Sequence, residues 1–224
     1  MSTLPMFEPI RRIALINPNT SAATTGRMVE IAQAAGGPGI DIVGLTAPFG
    51  VPLITNPEAL ATAGDAVLSI PDAAFEDMSA VIVAAYGDPG ADTLAERLDI
   101  PVIGIAAASM QAAAHVGRFS IVTTTPLLVE SIRQRAVQLG LVDHLASVRT
   151  TGGNAAKLMS DETALRAALA ELIDVAVTED GAEAIIIGGG PLAAVARALS
   201  AHSPVPLMEP VPIAVHAVMH AQNA

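Results

Sequence analysis

Two stretches of this chain end an apolar strand pattern beside a turn able to hold an anion. Val81-Ile82-Val83-Ala84-Ala85 runs into Tyr86-Gly87-Asp88-Pro89-Gly90, and Ile185-Ile186-Ile187-Gly188-Gly189 runs into Gly190-Pro191. Gly188, Gly189, Gly190 and Pro191 offer backbone amides as a cradle for a carboxylate, phosphate or oxyanion. They do not match the G-x-G-x-x-G dinucleotide fingerprint. Tyr86 is the only tyrosine. A phenol at the C-terminal end of a parallel strand lies where open α/β sheets bind ligands, and it can donate a hydrogen bond or a proton.

Five other ionisable positions invite a functional and a structural reading. Asp88 is either a proton-transfer group or a helix cap followed by a first-turn proline. Glu209, at the end of the extended stretch Pro206-Leu207-Met208, is a general-base candidate or a solvated carboxylate at a helix entry. His115 precedes a turn and a strand, so it either faces substrate or ends a helix. His216 and His220 lie four apart on one helix face, but no H-E-x-x-H motif accompanies them and no metal is assigned.

Two upstream strand ends complete the set. Asn17-Pro18-Asn19-Thr20 leads through Ser21 into a helix, where free N–H groups suit a carboxylate or imide oxygen. Its counterpart, Thr123-Thr124-Thr125-Pro126, supplies hydroxyls before another helix. Both also fit plain capping chemistry. The features repeat in order: Val81 to Ile185 is a step of 104 residues, Pro101 to Pro206 one of 105, and Arg12 to Arg118 one of 106. Solenoid repeats run at roughly 20–50 residues, so this spacing fits two homologous α/β lobes.

These residues need a scaffold of alternating elements. Strand patterns fall at Ile13–Ile16, Ile40–Leu45, Ala80–Ala85, Val102–Ile105, Ser120–Thr123, Ala184–Ile187 and Val205–Met208, with a weaker one near His144–Thr150. Helical patterns fall at Thr20–Ala34, Pro57–Leu68, Asp92–Leu98, Ala106–His115, Pro126–Leu139, Asp161–Thr178, Pro191–Ala201 and Pro210–Ala221. Continuous apolar strands alternating with helices predict an α/β fold with parallel sheets covered by helices. The expected division is a first lobe over 1–105, joined by the C-terminal helix 210–224, and a second lobe over 106–209.

Composition narrows the function. The net charge is −11, with one tyrosine, four phenylalanines and no tryptophan, and no Lys/Arg cluster. Nucleic-acid grooves need cationic and stacking side chains, so no nucleic-acid partner is expected. Cysteine is absent, which removes disulfides, thiolate metal sites and thiol catalysis. No signal peptide or membrane span is visible, and a cytoplasmic location is expected.

Ile16-Asn17-Pro18-Asn19-Thr20, Gly87-Asp88-Pro89-Gly90, Pro101-Val102-Ile103-Gly104-Ile105 and Arg118-Phe119-Ser120-Ile121-Val122-Thr123-Thr124 together resemble the Asp/Glu/hydantoin racemase superfamily, nearest its hydantoin and allantoin racemase branch. Four motifs in order make the resemblance specific, and it covers almost the whole chain. It implies two pseudo-symmetric lobes around one active site in the cleft between them, no metal or organic cofactor, and a small-molecule substrate. It is compatible with a homo-oligomer. Asn17, Thr124 and the loops after Ala85 and Gly189 would line the pocket, with the loop around Pro48-Phe49-Gly50-Val51-Pro52 setting specificity.

The resemblance also implies two proton-transferring cysteines, at the positions held here by Ala85 and Gly189. Neither residue transfers a proton. Three expectations therefore stand. The chain is a racemase-like, cofactor-independent enzyme on a small cyclic amide, imide or related carboxylate, with Tyr86, Asp88, His115 or Glu209 as replacement groups. Alternatively it is a hydrolase opening a cyclic amide, imide or lactone. Or it is a non-catalytic binding protein for a small carboxylate.

Overall fold

The computed structural model describes residues 12–153, 155–189, 192–201 and 203–221. The first four strands are β1 (Arg12–Asn17), β2 (Asp41–Thr46), β3 (Ala80–Val83) and β4 (Val102–Gly104), all parallel, in the order β2-β1-β3-β4. The other four are β5 (Phe119–Thr123), β6 (Leu145–Thr150), β7 (Ala184–Ile187) and β8 (Leu207–Met208), parallel in the matching order β6-β5-β7-β8. The expected α/β fold of two helix-covered parallel sheets is therefore present.

Strand periodicity distributes the core. Along β1, Ile13 and Leu15 enter one apolar cluster while Ala14 and Ile16 enter another. Successive side chains point to opposite faces, so a strand apolar at every position is covered on both. The helices that do this are α1 (Ala22–Gly36), α2 (Pro57–Leu68), α3 (Ala91–Arg97), α4 (Ile105–Val116), α5 (Val129–Gln138), α6 (Ala155–Met159), α7 (Glu162–Thr178), α8 (Ala193–Ser200) and α9 (Pro210–Ala221). Ile82 is fully buried at the centre of the first sheet. An Ile82→Ala change is expected to cost about 2–5 kcal/mol, from lost transfer energy plus the cavity, read as a shift in urea midpoint.

Two helices connect the sheets. α4 sends Ile105 and Ala108 into the first sheet's core, and Ala106, Met110 and Ala113 into the second's. α9 follows β8 of the second sheet yet packs Val211, Ala214, Val215 and Val218 onto the first.

Local capping differs from expectation in instructive places. Ser21 caps α1, Asn56 caps α2 and Asp161 caps α7, each accepting a backbone N–H. Thr125 does not cap the helix behind it: Pro126–Leu128 is a 3-10 turn, and the Thr125 hydroxyl faces that of Thr123 at 3.2 Å. Asp88 does not cap α3 either. Gly90 occupies that position at φ 76, because Asp88 itself sits at φ 51 and turns its carboxylate elsewhere. The extended pattern at 205–206 is left out of β8, whereas β6 pairs along β5 from Leu145 to Thr150.

Candidate active site

In each sheet the strand order reverses between the first and third strands of its half. Loops leaving the C-terminal ends of such neighbours diverge and leave a crevice, the usual ligand position in open parallel sheets. The loops after β1, β3, β5 and β7 all come from such ends. Together they line a cavity of about 60 Å³. That is room for about four water-sized spheres.

The polar lining is Asn19, Tyr86, Thr123, Thr124 and Thr125, with Ala84, Ala85, Gly188 and Gly189 presenting backbone. Tyr86 is the sole ionisable residue among these lining residues. The apolar lining is Leu53, Ile54, Leu128, Ile132, Met159 and Leu192. Ala85 and Gly189, which occupy equivalent strand ends of the two halves, border the same space.

Each predicted residue then takes its place. Asn17 is fully buried, and its amide nitrogen donates to Asn19 Oδ1 at 2.9 Å, the Ser21 carbonyl at 3.1 Å and Thr25 Oγ1 at 3.0 Å. It does not line the cavity; it sets the loop. Asn19 does line it. The Asn19 Oδ1 accepts from Asn17 and from the Ser21 N–H, and these backbone and side-chain donors fix its amide orientation. No hydrogen bond among the described residues uses the Asn19 Nδ2, which is left to donate to a ligand oxygen. Thr20 lies outside the cavity with its N–H on the Val51 carbonyl.

Thr123 donates to the Gly188 carbonyl at 2.9 Å, tying the β5 and β7 ends together. Among the described residues the Thr124 hydroxyl reaches only Met159 Sδ, at 3.9 Å, a weak contact that leaves it able to serve a ligand. The backbone N–H groups of Ala85, Thr124 and Gly189 donate in none of the turn or loop hydrogen bonds among the described residues. These are the elements of an oxyanion-type cradle. Space at Gly188 is tight: a Cβ there would stand 3.1 Å from Ile121 Cγ2 and 3.5 Å from the Tyr86 ring. Gly190 and Pro191 lie outside the described residues.

Tyr86 crosses from the first half to pack in the second half's core with Met110, Ile121 and Ile186. Its hydroxyl is buried with no hydrogen-bond partner among the described residues, although the Ser109 side chain lies beside it. The Ser109 hydroxyl donates to the Ile105 carbonyl at 2.7 Å. Burial pushes the phenol well above its ordinary range, outweighing Ser109, and nearby Asp88 adds to the rise. At neutral pH Tyr86 is therefore a donor and not a base.

The other replacement groups are not brought to the cavity. Asp88 receives the N–H groups of Ala106 and Ala107 at 2.7 and 2.8 Å and Arg135 Nε at 3.1 Å. His115 is exposed at the end of α4, its Nδ1 2.7 Å from the Gln111 carbonyl. Glu209 lies near Arg197 at 3.6 Å, with Oε2 lacking a hydrogen-bond partner among the described residues. Gly87 borders a separate open groove with Asp88 and Arg135. His216 and His220 are exposed, and no group of three or more His, Cys, Asp or Glu suited to a metal occurs among the described residues.

Sequence reasoning missed the apolar wall and Arg135. Leu53 and Ile54 approach the cavity, whereas Phe49 and Val51 of the same loop are exposed. Leu128 and Ile132 were visible only as helix-face residues, and Met159 arrives on the short helix α6. None of these carries a motif. Among the described residues, no helix is long and apolar enough to cross a membrane.

Known proteins share this arrangement. The model of the family described as Asp/Glu/Hydantoin racemase matches residues 13–218. A hydantoin racemase of Paenarthrobacter aurescens is 33% identical over 204 residues, covering 89% of this chain and 86% of that protein. The crystal structure of allantoin racemase from Pseudomonas fluorescens superposes with a TM-score of 0.90 at 33% identity, covering 95% of this chain and 91% of that one. Allantoin racemase from Klebsiella pneumoniae gives 0.89 at 34% identity, with coverage of 95% and 87%.

Proposed function

The chain belongs to the Asp/Glu/hydantoin racemase family, and from that premise we propose that it is a racemase-like, cofactor-independent enzyme acting on a small hydantoin-like cyclic amide without a thiol pair. The observation that carries this reading is the joint bordering of one cavity by Ala85 and Gly189. These positions are where the family resemblance sets the proton-transferring thiols.

A cyclic amide carries an acidic C–H next to a carbonyl. The Asn19 amide and the N–H groups of Ala85, Thr124 and Gly189, which donate in no turn or loop hydrogen bond among the described residues, suit a carbonyl oxygen that becomes an enolate oxygen as that proton leaves. Donors aimed at developing charge lower the barrier most when they are already in place. With no carboxylate, imidazole or thiol in the described lining, water exchanges the carbon-bound proton, and Tyr86 serves as a hydrogen-bond donor. The apolar wall of Leu53, Ile54, Leu128, Ile132, Met159 and Leu192 suits an alkyl or aryl ring substituent. A ureido group would leave its hydrogen-bonding atoms unmatched there.

The test is incubation of one enantiomer of 5-benzylhydantoin in deuterated water, followed by NMR at C5–H and by polarimetry. Loss of C5–H above the buffer rate is expected, faster than for allantoin. Tyr86→Phe is expected to slow it about tenfold, the worth of one hydrogen bond. Ring opening would make the protein a hydrolase, and saturable binding without exchange would make it a binding protein. Either result overturns the isomerase reading.

A further inference from the structure

Asp88 lies two residues beyond Tyr86, yet it points away from the cavity into a buried junction of three elements. Its side chain has no exposed surface. Oδ1 accepts the Ala106 N–H, while Oδ2 accepts the Ala107 N–H and Arg135 Nε. Gly104, the residue at the cap of α4, provides no side chain of its own, so a carboxylate from another loop caps that helix. A Cβ on Gly104 would stand only 2.0 Å from Asp88 Cγ, so the glycine is what makes room for it. On the far side, Arg135 of α5 holds Asp92 through two bonds of 2.6 and 2.9 Å.

The same residue closes the loop that borders the cavity. The Asp88 N–H donates to the Ala85 carbonyl at 3.0 Å, and the Asp88 carbonyl accepts the Ala91 N–H at 3.1 Å. Asp88 is the single non-glycine residue with positive φ among the described residues. A side chain held in that backbone region needs surroundings that over-determine it, and three charge-assisted hydrogen bonds supply them. Two anchors act on one short loop: the N-terminus of α4, where a negative charge is favoured, and a cation from the second sheet's layer.

We propose that Asp88 is a positioning residue, which through the α4 cap and Arg135 fixes the place of Ala85 at the cavity and so ties one wall of the site to the packing of the other half. This rests on the reading of the cavity as the substrate site. It adds that the loop's seating depends on a charge linkage outside that cavity.

The absence of native cysteine provides a clean reporter. Ala85→Cys places the chain's only thiol on the loop in question, and iodoacetamide labelling at fixed pH reads its access. Thermal melting of the same samples reads the fold. In an Ala85→Cys background, Asp88→Asn is expected to change the labelling rate at least tenfold at temperatures where the protein stays folded. Asp92→Asn, at an exposed carboxylate that steadies Arg135, is expected to shift the rate two- to fivefold in the same direction. A lowered melting point with an unchanged labelling rate would assign Asp88 to the fold alone and overturn the proposal. If Asp88→Asn does not fold, an unchanged rate in Asp92→Asn overturns it equally. Labelling needs no substrate, so its outcome stands apart from that of the deuterium-exchange assay.

Discussion

Replacing Ala85 and Gly189 together by cysteine is expected to raise inversion of 5-benzylhydantoin by about 10²–10⁴-fold over the parent chain, the range that positioned acid–base groups supply. Both positions border the cavity, and they come from equivalent strand ends of the two halves. Two thiols there would address opposite faces of the ring carbon, one removing a proton and the other returning one. Space is available: a Cβ on Gly189 meets nothing nearer than Leu192 at 3.7 Å. The obstacle is backbone, since Gly189 has φ 133, a conformation that L side chains rarely adopt. The loop must relax to accept the second cysteine, so the gain should fall toward the lower end of the range. Ala85→Cys alone should exchange deuterium into one enantiomer without inverting it. A folded double variant with two titrating thiols and no gain in inversion would show that these two positions do not flank the reacting carbon.

Arg135→Met should destabilise the fold by about 2 kcal/mol at pH 7.5, because a buried carboxyl that has lost its cation keeps a proton it would otherwise release. The pH dependence separates this from lost packing. Burial raises the Asp88 carboxyl to about 6, against the lowering pull of the Ala106 N–H, Arg135 and the Ala107 N–H. An unfolded aspartate releases its proton near pH 4, so between about 4 and 6 the folded state binds the extra proton. The parent's stability contribution from this group therefore falls as pH rises through that window, by about 3 kcal/mol in total. Without Arg135 the folded carboxyl keeps its proton to still higher pH. The penalty should accordingly be small at pH 5 and grow through pH 6 to 7.5. Urea titrations at the two pH values provide the measurement, and equal losses at both would mean that Arg135 contributes through its hydrocarbon stem and not its charge.

The sequence by itself determined the alternation of buried strands and helices, because Val/Ile runs that are apolar at every position specify parallel strands covered on both faces. It also determined the doubled order of strand ends, and hence that Asn19, Ala85, Thr123, Thr124 and Gly189 would recur at comparable places. Tertiary structure decided which of the polar residues serve a ligand and which serve the scaffold. Asn17 and Asn19 share one motif, yet Asn17 is consumed by local hydrogen bonds while no hydrogen bond among the described residues uses the Asn19 amide nitrogen. Asp88 reads as a cap for the helix behind it. The positive φ it adopts instead delivers it to α4, 18 residues ahead, and to Arg135, 47 residues away. The apolar wall from Leu53 to Leu192 likewise left no local signal, since a core-facing leucine and a cavity-facing leucine share one helical period. Periodicity reports which face is buried; what lies opposite that face is set by contacts between residues far apart in the chain.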